Sequence, residues 1–128
     1  MKILLDTHAF IWWADAPDKL SPQVRAACED RTNQLLLSVA SAWEMQIKIQ
    51  LGKLDLRRPL SEIINEQQQT NAIEPLPIAL AHVFALNGLP AIHKDPFDRI
   101  LIAQAIVESA VFISHDPVLA RYPVEILW

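Results

Sequence analysis

The sequence has 128 residues, of which 52% are hydrophobic and 20% are charged, a composition typical of one compact domain rather than a disordered chain. Two glycines and a single cysteine exclude Gly-rich phosphate-binding loops, internal disulfides and cysteine-based zinc sites. The net charge of −4 argues against a simple basic nucleic-acid binder, and the lack of a signal peptide or membrane-spanning pattern favours the cytoplasm.

Short apolar runs alternate with longer helical patterns along the chain, and this alternation predicts a parallel sheet with helices on both faces. The predicted strands cover residues 2–6, 35–37, 72–76, 111–113 and 124–127, the third being either a strand or an extended segment. The predicted helices cover residues 7–14, 21–31, 38–51, 59–70 and 78–86, with another beginning at residues 95–96 and a short turn at 116–117. We therefore expect one α/β domain over residues 1–128 with four or five parallel strands.

Several acidic residues fall where predicted strands end, which is where open parallel sheets bind their ligands. Asp6 ends the first strand, and Asp116 follows the fourth. Asp98 lies in the first turn of the helix before that strand, and Glu44 lies in the helix after the second strand. Carboxylates gathered at one edge repel one another unless a cation or raised pKa values offset the repulsion. Their oxygens favour Mg²⁺ or Mn²⁺, which suits phosphodiester hydrolysis by water.

Each acidic residue also has a purely structural explanation. Asp6, Asp95 and Asp116 stand at predicted helix N-caps. Asp98 would complement a helix dipole, and Glu44 fits a capping-box pattern. The residues alone therefore leave two explanations open, helix capping and metal-dependent phosphate chemistry.

Four segments of the chain resemble PIN domains, most closely the VapC-type toxins of toxin–antitoxin modules. They read LLDTHAFIWW, SVASAWEMQIKIQLGKLDL, HKDPFDRILIAQA and FISHDPVLARYPVEILW. The resemblance implies a three-layer α/β/α domain around a parallel sheet of four or five strands. It also implies an endoribonuclease that depends on Mg²⁺ or Mn²⁺ and uses a metal-activated water, together with a cognate antitoxin and frequent homodimers.

By position, the resemblance implies that four acidic residues bind the metal and carry out catalysis: Asp6, Glu44, Asp98 and Asp116. It places three supporting residues beside them: Thr7, Asp95 and Ser114. One departure lies at SHD, where Ser114 replaces the more common threonine and His115 replaces a smaller residue.

A further set of basic residues lies near these acids and forms either an RNA-binding track or an ordinary solvated face. The set contains Lys48, Lys53, Lys94, Arg99, His93 and His115. His82, on an apolar helix, is expected to be structural.

The four tryptophans of the chain are candidates either for the core or for contacts with partner proteins. Trp12 and Trp13 are adjacent, so one is expected in the core and the other at a partner groove or dimer contact. Trp43 and Trp128 are expected in the core. We expect a homodimer and a VapB-like antitoxin that inserts a basic residue, preferably arginine, among the carboxylates.

Two other functions compete with the nuclease. A PIN-like module that only binds RNA or protein would keep the fold without turnover. A receiver domain would need a lysine that is lacking, and an aspartate-nucleophile phosphatase would need an aspartate where His8 stands.

Overall fold

The computed structural model describes all 128 residues, and its centre is a parallel sheet of five strands. The strands are β1 (Lys2–Leu5), β2 (Gln34–Ser38), β3 (Glu74–Leu76), β4 (Val111–Ile113) and β5 (Ile126–Leu127). They lie in the order β3-β2-β1-β4-β5, and every neighbouring pair is parallel. Strands of consecutive buried apolar residues need cover on both faces, so helices flank this sheet on both sides.

Six α-helices connect the strands: α1 (Thr7–Asp15), α2 (Pro22–Glu29), α3 (Val39–Gln50), α4 (Leu60–Asn71), α5 (Leu80–Ala85) and α6 (Pro96–Val107). Short 3₁₀ turns occur at Pro17–Lys19, Leu86–Gly88 and Pro117–Arg121. Side-chain caps start several helices; Ser21, for instance, accepts a hydrogen bond from the Val24 amide. None of the helices is long and apolar enough to cross a membrane.

The sheet separates two apolar cores. Ile3 and Leu5 face one core with Phe10, whereas Leu4 faces the other with Phe112. This alternation along β1 follows from the two-residue period of a strand. The predicted α/β/α fold with a parallel sheet is confirmed.

Three predicted strands are shorter than expected, the first by one residue because Asp6 is the N-cap of α1. Ala72 has a positive φ of 54° and ends α4, so the third strand begins only at Glu74. The Val124 amide donates to the Tyr122 carbonyl, so this residue stays outside the last strand. The buried His82 imidazole contacts Glu108 at 2.9 Å, which links α5 to the end of α6.

The tryptophans differ from the expectations. Trp43 is 60% exposed, because the buried face of α3 carries Ser41 and Met45 on the opposite side of the helix. Trp12 and Trp13 both pack, partly buried, against the same core. Trp128 lies 5.7 Å from Trp12 between ring centroids and packs beside it. Neither Trp12 nor Trp13 is therefore a freely exposed partner contact.

Candidate functional site

Three of the four predicted acidic residues line one cavity at the carboxyl edge of the sheet. Asp6, Asp98 and Asp116 share this cavity, of about 240 Å³, with Ser114 and His8. They meet there because β1 and β4 are neighbours and α6 leads into β4. Glu44 does not line the cavity, but its negative charge raises the pKa values of Asp6 and Asp98.

Asp6 is fixed by the start of α1. Its Oδ1 accepts a hydrogen bond from the Ala9 amide at 2.7 Å, which makes it the N-cap of the helix. Burial raises the pKa of Asp6 despite that bond, and the charge of Glu44 adds to the increase. The carboxylate is therefore held rigidly in a place that disfavours its charge.

Asp98 carries the largest electrostatic strain in the cavity. Burial, together with the charges of Asp95, Glu44 and Asp116, raises the pKa of Asp98 to about 6. His93 acts in the opposite direction. No hydrogen bond to the Asp98 carboxylate lowers its pKa. A divalent cation beside it would relieve both the repulsion and the burial penalty.

Glu44 stands at the margin of the cavity, with both of its oxygens in contact with neighbours. The Thr7 hydroxyl donates to Oε1 at 2.7 Å, and the Lys48 ammonium lies 3.3 Å from Oε2. The buried Ser41 hydroxyl lies 3.1 Å from the Thr7 hydroxyl, within hydrogen-bond distance. Thr7 and Lys48 therefore fix where the Glu44 charge is placed.

Sequence reasoning missed the group that holds Asp116. The His93 Nε2 lies 2.8 Å from Asp116 Oδ2, and the His93 Nδ1 lies 2.9 Å from the Tyr122 hydroxyl. That hydroxyl accepts a hydrogen bond from the His93 amide, so its own proton can go to Nδ1 and leave Nε2–H to donate to the carboxylate. The hydrogen bond from His93 lowers the pKa of Asp116.

No local sequence pattern predicts this Tyr122–His93–Asp116 hydrogen-bond network. His93 and Tyr122 are 29 positions apart, and Tyr122 is buried like an ordinary core residue. The proximity of His93 to the acidic HKDPFD motif was the only signal in the sequence. Both nitrogens of the His93 ring already have partners, which does not favour its predicted place in an RNA-binding track.

The residues expected to support the site have separate roles. Asp95 is the N-cap of α6, and its Oδ1 accepts from the amides of Phe97 and Asp98 at 2.8 and 3.3 Å. Asp95 is exposed and acts on the cavity only through its charge. Ser114 is buried, lines the cavity and accepts a hydrogen bond from the Asp116 amide at 3.3 Å.

The basic residues do not form one uniform track. Lys48 contacts Glu44, and Arg99 donates to the carbonyl of Pro90 at 3.0 Å, so these two side chains already have partners within the protein. Lys53 and Lys94 are exposed. His115 stacks on Trp128, with 4.9 Å between ring centroids.

The chemistry of the donors fits a hard divalent cation, because the cavity offers carboxylate oxygens and no thiol. The raised pKa of Asp98 supports that fit. No three histidine, cysteine, aspartate or glutamate side chains already stand close enough together to hold a metal ion. Cation binding would therefore have to draw the carboxylates together.

Comparisons with known proteins identify the family of this chain. The PIN domain family model matches residues 3–125. The chain is 26% identical to Ribonuclease VapC22 of Mycobacterium tuberculosis over 117 residues, which cover 89% of this chain and 86% of that protein. It is 37% identical to Ribonuclease VapC16 of the same organism over 60 residues, 47% of this chain and only 43% of that protein.

Two solved structures share the fold at low sequence identity. VapBC2 from Rickettsia felis, bound to a DNA fragment from its promoter, has a TM-score of 0.76 at 15% identity, covering 99% of this chain and 98% of that chain. VapBC-1 from nontypeable Haemophilus influenzae has a TM-score of 0.60 at 16% identity, covering 99% and 97%. Because the family match spans nearly the whole sequence and the relatives carry VapC names, this chain belongs to the PIN-domain family and is VapC-like.

Proposed function

We propose that the protein is a metal-dependent endoribonuclease toxin of a toxin–antitoxin pair, acting in the cytoplasm with water as the nucleophile. One observation carries the proposal: the Asp98 carboxyl, with a pKa raised to about 6, lies among other acids in a cavity at the sheet edge. Such a charge cluster lowers the stability of the fold, and clusters of this kind are concentrated at functional sites. The ribonuclease names of the relatives support the same activity.

Mg²⁺ or Mn²⁺ is the cofactor in this proposal, held by Asp6, Asp98 and Asp116 with Glu44 at the margin. When bound, such an ion neutralises charge on the phosphate and favours deprotonation of the attacking water. The cavity contains one serine, Ser114, but no histidine is hydrogen-bonded to its hydroxyl, so the proposal takes water as the nucleophile.

The side chains of this protein orient the charged groups. The cap of α1 holds Asp6, the His93 ring holds Asp116, and the Thr7 hydroxyl holds Glu44. These contacts restrict the carboxylates before RNA binds, so less ordering is left when a cation draws them together, which lowers the cost of reaching the reactive arrangement. Without a cation, the same charges repel a phosphate.

A VapB-like antitoxin is the partner in this proposal, and the VapBC neighbours support it. An inserted arginine would pair with the carboxylates and occupy the place of the cation. A homodimer is supported by apolar side chains exposed on and beside α5, which a second copy could cover: Ile78, Leu80, Val83 and Phe84.

The test is to express the wild-type protein and Asp98→Asn in cells and to map new RNA 5′ ends. New ends should appear with the wild type and not with the variant, and purified protein should stop cleaving when a chelator is added. Glu125→Gln, at an exposed acid outside the cavity, is the matched control and should cleave normally. Undiminished cleavage by Asp98→Asn and Asp6→Asn would contradict the proposal.

A binding module without turnover is the second candidate. It is favoured by the observation that no group of potential ligands is already assembled into a metal site. RNA that binds the purified protein without acquiring new 5′ ends in Mg²⁺ or Mn²⁺ would support this alternative.

A further inference from the structure

A second cleft adjoins the acidic cavity and is walled by aromatic rings. Its volume is about 360 Å³, within the range of pockets that bind small organic groups. Trp12, Trp128 and His115 form its wall. It shares four lining residues with the acidic cavity: Asp6, His8, Ser114 and Asp116. A chemical group of a ligand bound in this cleft would therefore lie next to a phosphate of the same ligand bound in the acidic cavity.

The rings form a continuous series across the cleft. His115 stacks on Trp128 with 4.9 Å between centroids and an angle of 25°. Trp128 lies 5.7 Å from Trp12, and Trp12 lies 6.3 Å from His8. The two tryptophans pack against the core, whereas both histidines are exposed. The result is a cleft lined by two partly buried tryptophans, whose rings are inclined by 59° to each other, and by two exposed imidazoles.

We propose that this aromatic cleft binds a nucleobase of the RNA substrate, the one beside the phosphate in the acidic cavity. The inference rests on the proposed function. Every nucleobase has a flat face that stacks on aromatic rings, and polar edges that can hydrogen-bond to an imidazole. The cleft therefore contributes the affinity for RNA that the acidic cavity cannot supply.

The lining of the cleft favours a base over the other groups that RNA or a protein could offer. No lysine or arginine lines it, so the cleft has no strongly basic side chain to pair with a phosphate. Five of its eight lining residues are polar or charged, which suits a base with polar edges better than an aliphatic peptide side chain. An antitoxin side chain is the rival occupant, and the test separates the two.

The experiment measures binding without turnover. A labelled single-stranded RNA of about twelve nucleotides and random sequence is titrated in chelator, against an abasic chain of equal length and charge. Wild-type protein should bind the RNA at least about fivefold more tightly than the abasic chain, as one stacked base predicts. Competition with adenosine and with N-acetyl-leucinamide reports which chemistry the cleft accepts.

Variants locate the preference for bases. Trp128→Leu and His115→Ala should reduce the ratio of the two dissociation constants towards one. Trp128→Phe keeps a ring and should retain most of the preference. Trp43→Leu is the matched control, because Trp43 is an exposed tryptophan outside the cleft. His115 is exposed, so His115→Ala still tests the cleft if Trp128→Leu fails to fold.

Equal binding of RNA and the abasic chain by the wild type, or an unchanged preference in both Trp128→Leu and His115→Ala, overturns the proposal. Competition by N-acetyl-leucinamide but not by adenosine overturns it in favour of a peptide occupant. Cleavage in Mn²⁺ is scored separately. Base-dependent binding that the variants remove supports the cleft even if the wild type never cleaves RNA, and that outcome would refute only the nuclease.

Discussion

Asp98→Asn is expected to stabilise the cation-free protein while removing its activity. Burial, together with the charges of Asp95, Glu44 and Asp116, raises the pKa of Asp98 from 3.8 to about 6. That difference corresponds to at most about 3 kcal/mol of destabilisation at pH 7. Because the carboxyl is only partly buried, solvent screening reduces the effect to on the order of 1 kcal/mol. The melting temperature should rise by a few degrees in the variant.

The sign of the effect depends on pH. The folded protein holds the Asp98 proton more tightly than the unfolded chain, so ionisation costs the native state stability. That cost is absent below about pH 4, develops between about pH 4 and 6, and is complete above about pH 6. The wild type should therefore have the same free energy of unfolding as Asp98→Asn near pH 4 and a lower one as the pH rises.

Urea unfolding of both proteins in chelator, at intervals between about pH 4 and 7, measures the difference. Glu125→Gln removes an exposed charge outside the cavity and should stay within about 0.5 kcal/mol of the wild type. Adding Mn²⁺ should stabilise the wild type by mass action and the variant much less. A variant that is less stable than the wild type at pH 7, or a difference that does not change with pH, would refute the reasoning.

Three further predictions concern neighbouring contacts. Thr7→Val removes the hydroxyl that donates to Glu44 and should cost about 1–3 kcal/mol in urea unfolding, whereas Thr7→Ser should restore most of it. His93→Ala frees Asp116 Oδ2 and should weaken Mn²⁺ binding, measured by calorimetry, by about tenfold or more; unchanged affinity would contradict a positioning role. Burial raises the pKa of the Cys28 thiol to about 11, so iodoacetamide should label it at pH 8 only after unfolding, as mass spectrometry would show.

The fold could be predicted because local signals agreed along the chain. Consecutive apolar residues marked the central strands, and Ser21-Pro22 and Asp95-Pro96 marked helix starts that the structure contains. The carboxyl ends of parallel strands meet at one edge, so the approach of Asp6 to Asp116 followed from topology alone. The edge strands were harder to predict, since β5 has only two residues and backbone turns decide where it starts.

Contacts between distant side chains could not be predicted in this way. The partner of Asp116 is His93, 23 positions earlier, and nothing in the local pattern of either residue specifies the pairing. The wrong expectation for Trp43 has a similar cause. Its apolar side chain suggested burial, but the orientation of α3 was set by other residues and left it exposed.

Helix capping and metal binding, which the sequence left as alternatives, compete only where they need the same oxygen. Asp6 and Asp116 each use Oδ1 to cap a helical turn, and each carboxylate oxygen has two lone pairs, so acceptor capacity is left even at Asp116, whose Oδ2 also accepts from His93. The caps therefore fix the direction of these side chains without consuming all of their donor capacity. Asp98 caps nothing, and its pKa is raised to about 6, whereas the pKa of Asp116 is lowered. A bound cation would therefore relieve the most charge repulsion at Asp98. Neutralising this side chain tests the two explanations, because a cluster that binds a cation would lose that function in Asp98→Asn, whereas a set of ordinary helix caps would be unaffected.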